Sequence, residues 1–99
     1  MPTEIRVQEN QRLLEHVNKQ LDTLEVLLST LKDIELNMEK VTDYYYSDWI
    51  VDREQDYVIH YPVLNENLVY DSIQSHYLLL KESKKIINEQ LQRMDNRWT

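Results

Sequence analysis

The fold is decided by residues 7–41, which read VQENQRLLEHVNKQLDTLEVLLSTLKDIELNMEKV. The apolar residues of this stretch recur mostly at intervals of three and four, the spacing of one face of an α-helix. They are Val7, Leu14, Val17, Leu21, Leu24, Leu28, Leu31, Ile34, Met38 and Val41. Thr3 is a suitable N-cap, and neither glycine nor proline occurs from there to Pro62, so the pattern predicts one helix over about 4–45.

The apolar row changes phase where Leu28, Leu31 and Ile34 follow one another at two successive intervals of three. Two short steps in succession break the strict seven-residue repeat that a long parallel coiled coil requires. The row therefore favours a shorter, antiparallel coiled-coil packing.

A second long helix is predicted over about 66–96. Asn65 is a good N-cap, and Glu66 places a negative charge in the first turn, where the helix dipole favours it. Its apolar row has one interruption, at Lys84, and Leu78, Leu79 and Ile86 widen the apolar surface beyond that row. The row consists of Ile73, Tyr77, Leu80, Ile87, Leu91, Met94 and Trp98. A helix that is apolar on two sides needs two neighbours.

The connecting segment, about 46–64, interrupts the long pattern. Ser47 can cap a short helix that begins at Asp48 and is anchored by Trp49, and Pro62 forces Tyr61 into an extended conformation. We therefore expect an all-α fold over 1–99 as a single domain: two long amphipathic helices in an antiparallel hairpin with a short acidic helical connection.

Length and composition indicate one domain that is completed by self-association. A chain of 99 residues, 41% of them apolar, has room for one core, yet it buries only about two-thirds of its unfolded surface. Two long apolar rows exceed what one hairpin covers, so we expect a homo-oligomer, with a dimer favoured.

Two missing residue types exclude whole classes of function. The chain has no cysteine, which excludes disulfides, thiolate zinc sites and a cysteine nucleophile. It has no glycine either, which excludes the Walker loop and the dinucleotide fingerprint. We expect no cofactor. No apolar run approaches the roughly 18 residues of a membrane span, and the first residues do not form a signal peptide, so a cytoplasmic location is expected, without membrane binding.

The charge is concentrated in the middle of the chain. The net charge is −7, and residues 43–71 hold seven acids and one base, Arg53. Binding to nucleic acid depends on neutralising phosphates with Lys and Arg, so this distribution argues against a nucleic-acid partner.

The central stretch carries a resemblance to a known family. It contains a tyrosine cluster at Tyr44–Tyr46, Trp49 followed by acids, and the segment Val63–Asn67 leading to Asp71. In these features the chain resembles the DUF 4298 family, small bacterial proteins catalogued as a domain of unknown function. The resemblance implies a helical fold and no particular activity. Members usually carry glycine near the place of Ser47 and before the Val-Leu pair, so the turns of this chain are expected to differ.

The acids of the connecting segment are the first candidates for chemistry. Clustered carboxylates with an imidazole are the ligands of divalent metals, and the candidates are Asp48, Asp52, Glu54, Asp56 and His60. The segment from Asp52 begins like a calcium loop, but Tyr57 stands where a glycine must turn and Val63 where the closing glutamate belongs. We therefore interpret the acids as a solvated surface and expect no metal site.

A hydrolase site is the second candidate. Asp71, Ser72, Ser75 and His76 are the residue types of a catalytic triad, but on one helix they lack the strained elbow and the oxyanion hole. No histidine follows a glutamate at a spacing of three, which excludes the usual helical di-metal motif. The pattern favours hydrogen bonding on a helix surface, and no catalytic residue is predicted.

The tyrosines and Trp49 admit two interpretations. Such side chains are enriched at protein interfaces, but in a chain without phenylalanine they must also fill the core, where Trp49 and Tyr70 are the best candidates. The predicted interaction surface consists of Tyr45, Tyr46, Asp48, Trp49, Asp52, Asp56, Glu66, Tyr70 and Asp71.

The sequence thus favours a self-associating protein–protein interaction module over an enzyme. Two alternatives remain. One is a small enzyme or metal-dependent binder that uses the acids between Asp48 and His60. The other is an acidic mimic that occupies the nucleic-acid site of a basic protein.

Overall fold

A computed structural model of the chain describes residues 2–98. Within this range the regular structure is helical, and no strand occurs. Helix α1 spans Thr3–Tyr45, α2 spans Trp49–Asp52, a 3₁₀ turn spans Pro62–Leu64, and α3 spans Glu66–Trp98. The predicted all-α class with two long helices is confirmed.

The chain divides into two compact units, Met1–Glu39 and Lys40–Thr99. The antiparallel hairpin and the single domain over 1–99 therefore stay predictions. None of the helices between residues 2 and 98 is long and apolar enough to cross a membrane.

The first unit is the long N-terminal part of α1. The carbonyl of Pro2 accepts a hydrogen bond from the Arg6 amide at 3.4 Å, and α1 already includes Thr3. Thr3 is thus the first helical residue and not the N-cap that the sequence predicted, because the role of a capping carbonyl falls to Pro2. Side chains from residue 2 to residue 30 are exposed, and Leu31, Ile34 and Met38 are half-buried.

The second unit begins where α1 ends. The Ser47 hydroxyl donates to the Asp43 carbonyl at 2.7 Å, and the Ser47 amide donates to the Tyr44 carbonyl at 3.1 Å. The prediction that Ser47 caps the short helix is wrong, because its side chain is used to end α1. Asp48 precedes α2 with helical dihedral angles, and its side chain makes no capping hydrogen bond.

The entry into α3 follows the sequence rules. Tyr61 is extended, with φ −102° and ψ 116°, as the following proline requires. The Asn65 side-chain oxygen accepts hydrogen bonds from the amides of Asn67, at 3.0 Å, and Leu68, at 3.2 Å. The predicted N-cap is therefore confirmed, and it satisfies two amides that the helix itself leaves free.

The covered residues of helix α3 include only one member of the predicted row, Ile73. Val69 is buried, and Ile73, His76 and Ser83 are half-buried, whereas Tyr77 is 58% exposed. Tyr70, predicted to be a core residue, is 56% exposed, so that prediction is wrong. Val69 takes the inner position, and the next residue points about 100° away around the helix.

Candidate functional site

Trp49 organises the second unit. Its side chain is only 3% exposed, which confirms the predicted burial, and its indole Nε1 donates to the Val63 carbonyl at 2.7 Å. A buried indole needs such an acceptor, because an unpaired N–H away from water is costly. One bond thereby ties α2 to the 3₁₀ turn, fourteen residues further along the chain.

The last residues of α1 place two tyrosines beside Trp49. The Tyr45 ring lies 5.0 Å from the Trp49 ring at an angle of 46°, and 5.1 Å from the Tyr46 ring, edge to face. Burial raises the pKa of the Tyr45 phenol, and the negative charge of Glu66 raises it further. Tyr46, in contrast, is exposed and offers its ring to solvent.

Arg53 completes the Trp49 cluster, which consists of Tyr45, Tyr46, Trp49, Arg53 and Glu66. It is not among the site residues that the sequence predicted. Its guanidinium lies 5.0 Å from the centre of the Trp49 ring, and its Nη1 lies 3.6 Å from a Glu66 carboxylate oxygen. A signal for it exists in the sequence. Arg53 is the only Lys or Arg in residues 43–71 and follows Trp49 by four residues, the spacing that brings two side chains together on a helix.

Asp52 is engaged inside the second unit. The Tyr44 hydroxyl donates to its carboxylate at 2.6 Å, and the Tyr57 hydroxyl donates to its carbonyl at 2.9 Å. The hydrogen bond to the carboxylate, with smaller contributions from burial and from the charge of Asp52, raises the pKa of Tyr44 to about 12. Asp52 therefore positions the end of α1 against α2.

An open cleft of about 460 Å³ lies over the Trp49 cluster. It brings together four of the predicted surface residues, Tyr45, Tyr46, Trp49 and Glu66, and adds Ser47, Ile50 and Arg53. The other five predicted residues do not line it. Asp48, Asp56, Tyr70 and Asp71 are exposed elsewhere, and Asp52 is half-buried. Aromatic rings, the exposed apolar side chain of Ile50 and the paired charges of Arg53 and Glu66 line the cleft.

A second open cleft, of about 440 Å³, lies on another side of Arg53. Tyr57 and Tyr61 line it, with ring centres 5.8 Å apart, together with His60 and Leu64. Over residues 2–98 no three His, Asp or Glu side chains are grouped so that they could hold a metal ion. The acids from Asp48 to Asp56 thus form no such set with His60, and the weak metal affinity stays a prediction.

Ser72, one of the triad-like residues of α3, is used locally. The Ser72 hydroxyl donates to the Leu68 carbonyl at 3.0 Å, one turn earlier in the same helix, and His76 is half-buried. A serine that donates to its own helix backbone is not held by a histidine acting as a base.

Apolar side chains are exposed along both long helices. Trp49 and Val69 are the hydrophobic residues that are buried within the described range. All eight large hydrophobic residues of α1 between residues 13 and 28 are 41–65% exposed, and they are Leu13, Leu14, Val17, Leu21, Leu24, Val26, Leu27 and Leu28. Helix α3 leaves a similar group exposed, formed by Tyr77, Leu78, Leu79, Leu80, Ile86, Ile87, Leu91, Met94 and Trp98.

Comparison with known proteins adds no relative. No family model, no curated protein and no solved structure matches this chain.

Proposed function

We propose that this chain is a cytoplasmic protein–protein interaction module, in which α1 and α3 pack as an antiparallel hairpin and a second copy covers the remaining apolar surface. The observation that carries the proposal is the exposure of the apolar rows on both long helices. The second unit contains the Trp49 cluster, which holds the connecting segment between the two helices in place.

The exposed rows support association through the energy that their burial would release. Fully burying one leucine side chain stabilises a protein by about 1.5–3 kcal/mol, and monomeric proteins seldom leave a continuous apolar patch uncovered. The α1 row is continuous over several turns, because Leu14, Val17, Leu21, Leu24 and Leu28 follow one another at three and four residues. Single exposed leucines would need no explanation, but an aligned row does.

The cleft over Trp49 supports a second contact, with another protein. Its exposed side chains, Tyr46 and Ile50, are of the kind found at interfaces, and Glu66 adds an acceptor beside them. Because residues 43–71 carry a charge of −6, the partner would present basic and apolar groups together. We further propose, from the central stretch, that the chain belongs to the DUF 4298 family, which would lend it no activity.

Sedimentation equilibrium tests self-association. We expect the chain to be mainly dimeric at high micromolar concentration. A monomer whose helical circular dichroism is intact would refute this proposal and leave the helical fold unaffected.

A matched pair of substitutions tests the packing of the α1 row in the hairpin. Leu28→Gln removes an apolar side chain from the α1 row, and Leu36→Gln removes one from outside that row. Both leucines are 60% exposed, and neither change alters the charge. We expect Leu28→Gln to lower the free energy of unfolding and Leu36→Gln to leave it unchanged. Equal effects would argue against the row as a packed surface.

A further inference from the structure

Helix α3 carries two separate apolar rows. The first, called here the seam row, consists of Val69, Ile73, Leu80 and Ile87, of which Val69 is buried and Ile73 half-buried. The second, the side row, consists of Leu68, Leu79 and Ile86, all of them exposed. At 100° per residue the members of the side row lie within about 20° of one another and about 100° from the seam row. They therefore lie along one side of the helix, where Leu79 and Ile86 are neighbours and Ser72 and Ser75 separate them from Leu68.

One neighbouring helix cannot cover both rows. A helix packed on another covers a stripe roughly 100° wide, so the neighbour that covers the seam row leaves the side row in water. The side row spans the middle of α3, because Leu79 and Ile86 lie on either side of residue 82, the midpoint of Glu66–Trp98.

The charges of α3 are divided between its two halves. Residues 66–80 hold two acids, Glu66 and Asp71, and no Lys or Arg, whereas residues 81–98 hold five bases and three acids. The helix dipole accounts for charges in the first and last turns alone. It does not account for Asp71, or for the lysines at 81, 84 and 85, which lie further inside the helix.

We infer that the side row is the contact between two copies of this chain and that the two α3 helices pack antiparallel about their midpoints. This inference rests on the proposed self-association and adds its surface and its direction. In this arrangement Leu79 of one copy lies opposite Ile86 of the other, and Asp71 lies close to the other copy's Arg93. A parallel arrangement would align the acidic halves with each other and the basic halves with each other, which is unfavourable.

Disulfide trapping tests the direction directly, because the natural chain contains no cysteine. We would prepare Leu79→Cys and Ile86→Cys as separate proteins, mix them by refolding together and oxidise them gently. A disulfide forms only where the two Cα atoms lie within about 7 Å. The antiparallel contact predicts that the mixed dimer, joined from 79 to 86, is the main product. Asn88→Cys, at an exposed position about 180° from Leu79 around the same helix, is the control and should not be trapped with either protein.

Charge reversal supplies a second measurement. Asp71→Arg should weaken the dimer by about two- to thirtyfold, since two symmetry-related surface pairs of about 0.2–1 kcal/mol each are lost. Adding Arg93→Asp in the same chain should restore the affinity. Higher salt should also weaken the natural dimer.

The outcomes separate the two proposals. A natural chain that is monomeric at the concentrations used would overturn both the self-association and this inference. A dimer in which Leu79→Cys alone and Ile86→Cys alone cross-link, without excess of the mixed product, would show parallel helices and overturn the inference while self-association stands. A dimer that none of these cysteines traps would place the contact elsewhere, with the same consequence.

Discussion

Truncation of Trp49 is the sharpest test of the second unit. Its side chain is 3% exposed and donates a hydrogen bond of 2.7 Å to the Val63 carbonyl. Removing a large buried aromatic side chain costs about 3–5 kcal/mol, so we expect Trp49→Ala to lower the free energy of unfolding by that amount. Trp49→Phe keeps one six-membered aromatic ring and loses the pyrrole ring with its N–H donor, and should therefore cost less.

Urea unfolding followed by circular dichroism measures these changes, at one fixed protein concentration because association shifts the apparent stability. The chain offers a control outside both helices. Val58 is fully exposed and belongs to neither apolar row, so Val58→Ala should change the stability by less than about 0.5 kcal/mol. A loss below about 1 kcal/mol for Trp49→Ala would refute the reasoning, since Trp49 would then be accessible to water and a better binding residue than a core residue.

Two further predictions concern the acids around Trp49. Since the folded pKa of Tyr44, about 12, exceeds its ordinary value of 10.0, the neutral phenol is the form that the fold favours. Its stabilisation is complete below about pH 10 and is lost as the pH rises through about 12, so Asp52→Asn should lower the pKa of Tyr44 in a titration of phenolate absorbance relative to Tyr44→Phe. An unchanged titration would contradict the hydrogen bond. Calorimetric titration of Mg²⁺, Mn²⁺, Ca²⁺ and Zn²⁺ should reveal no stoichiometric site tighter than about 10 μM, worth roughly 7 kcal/mol. A tighter site that is lost in Asp56→Asn would make the acidic segment a functional centre.

The long helices could be predicted because their signals are local. The apolar spacing, the lack of glycine and the Asn65 cap each act within a few residues, and they place both helices within two residues of their observed ends. Pro62 likewise fixes the conformation of its neighbour Tyr61 by direct steric contact.

The cluster around Trp49 could be predicted only in part. Its burial follows from size and from apolar character, but the acceptor of its indole, the Val63 carbonyl, depends on how the chain returns after fourteen residues. The same path of the connecting segment brings the Arg53 guanidinium beside the Glu66 carboxylate. Whether Val69 or Tyr70 is buried depends on the rotation of α3 about its axis, since neighbouring residues point about 100° apart. The apolar periodicity defines this rotation poorly at the end of a helix.

The hydrogen bond between Trp49 and Val63 also has a consequence for the length of the chain. Residues 54–60 form a loop between Trp49 and Val63, the two residues that this bond joins. Val58, at the tip of the loop, is fully solvent-exposed. Doubling the length of a flexible loop costs only about 0.6 kcal/mol in closure entropy. A peptide tag or a small folded domain could therefore be inserted after Val58 without changing the ends of the helices on either side. This loop is therefore a suitable place to attach a reporter to the protein.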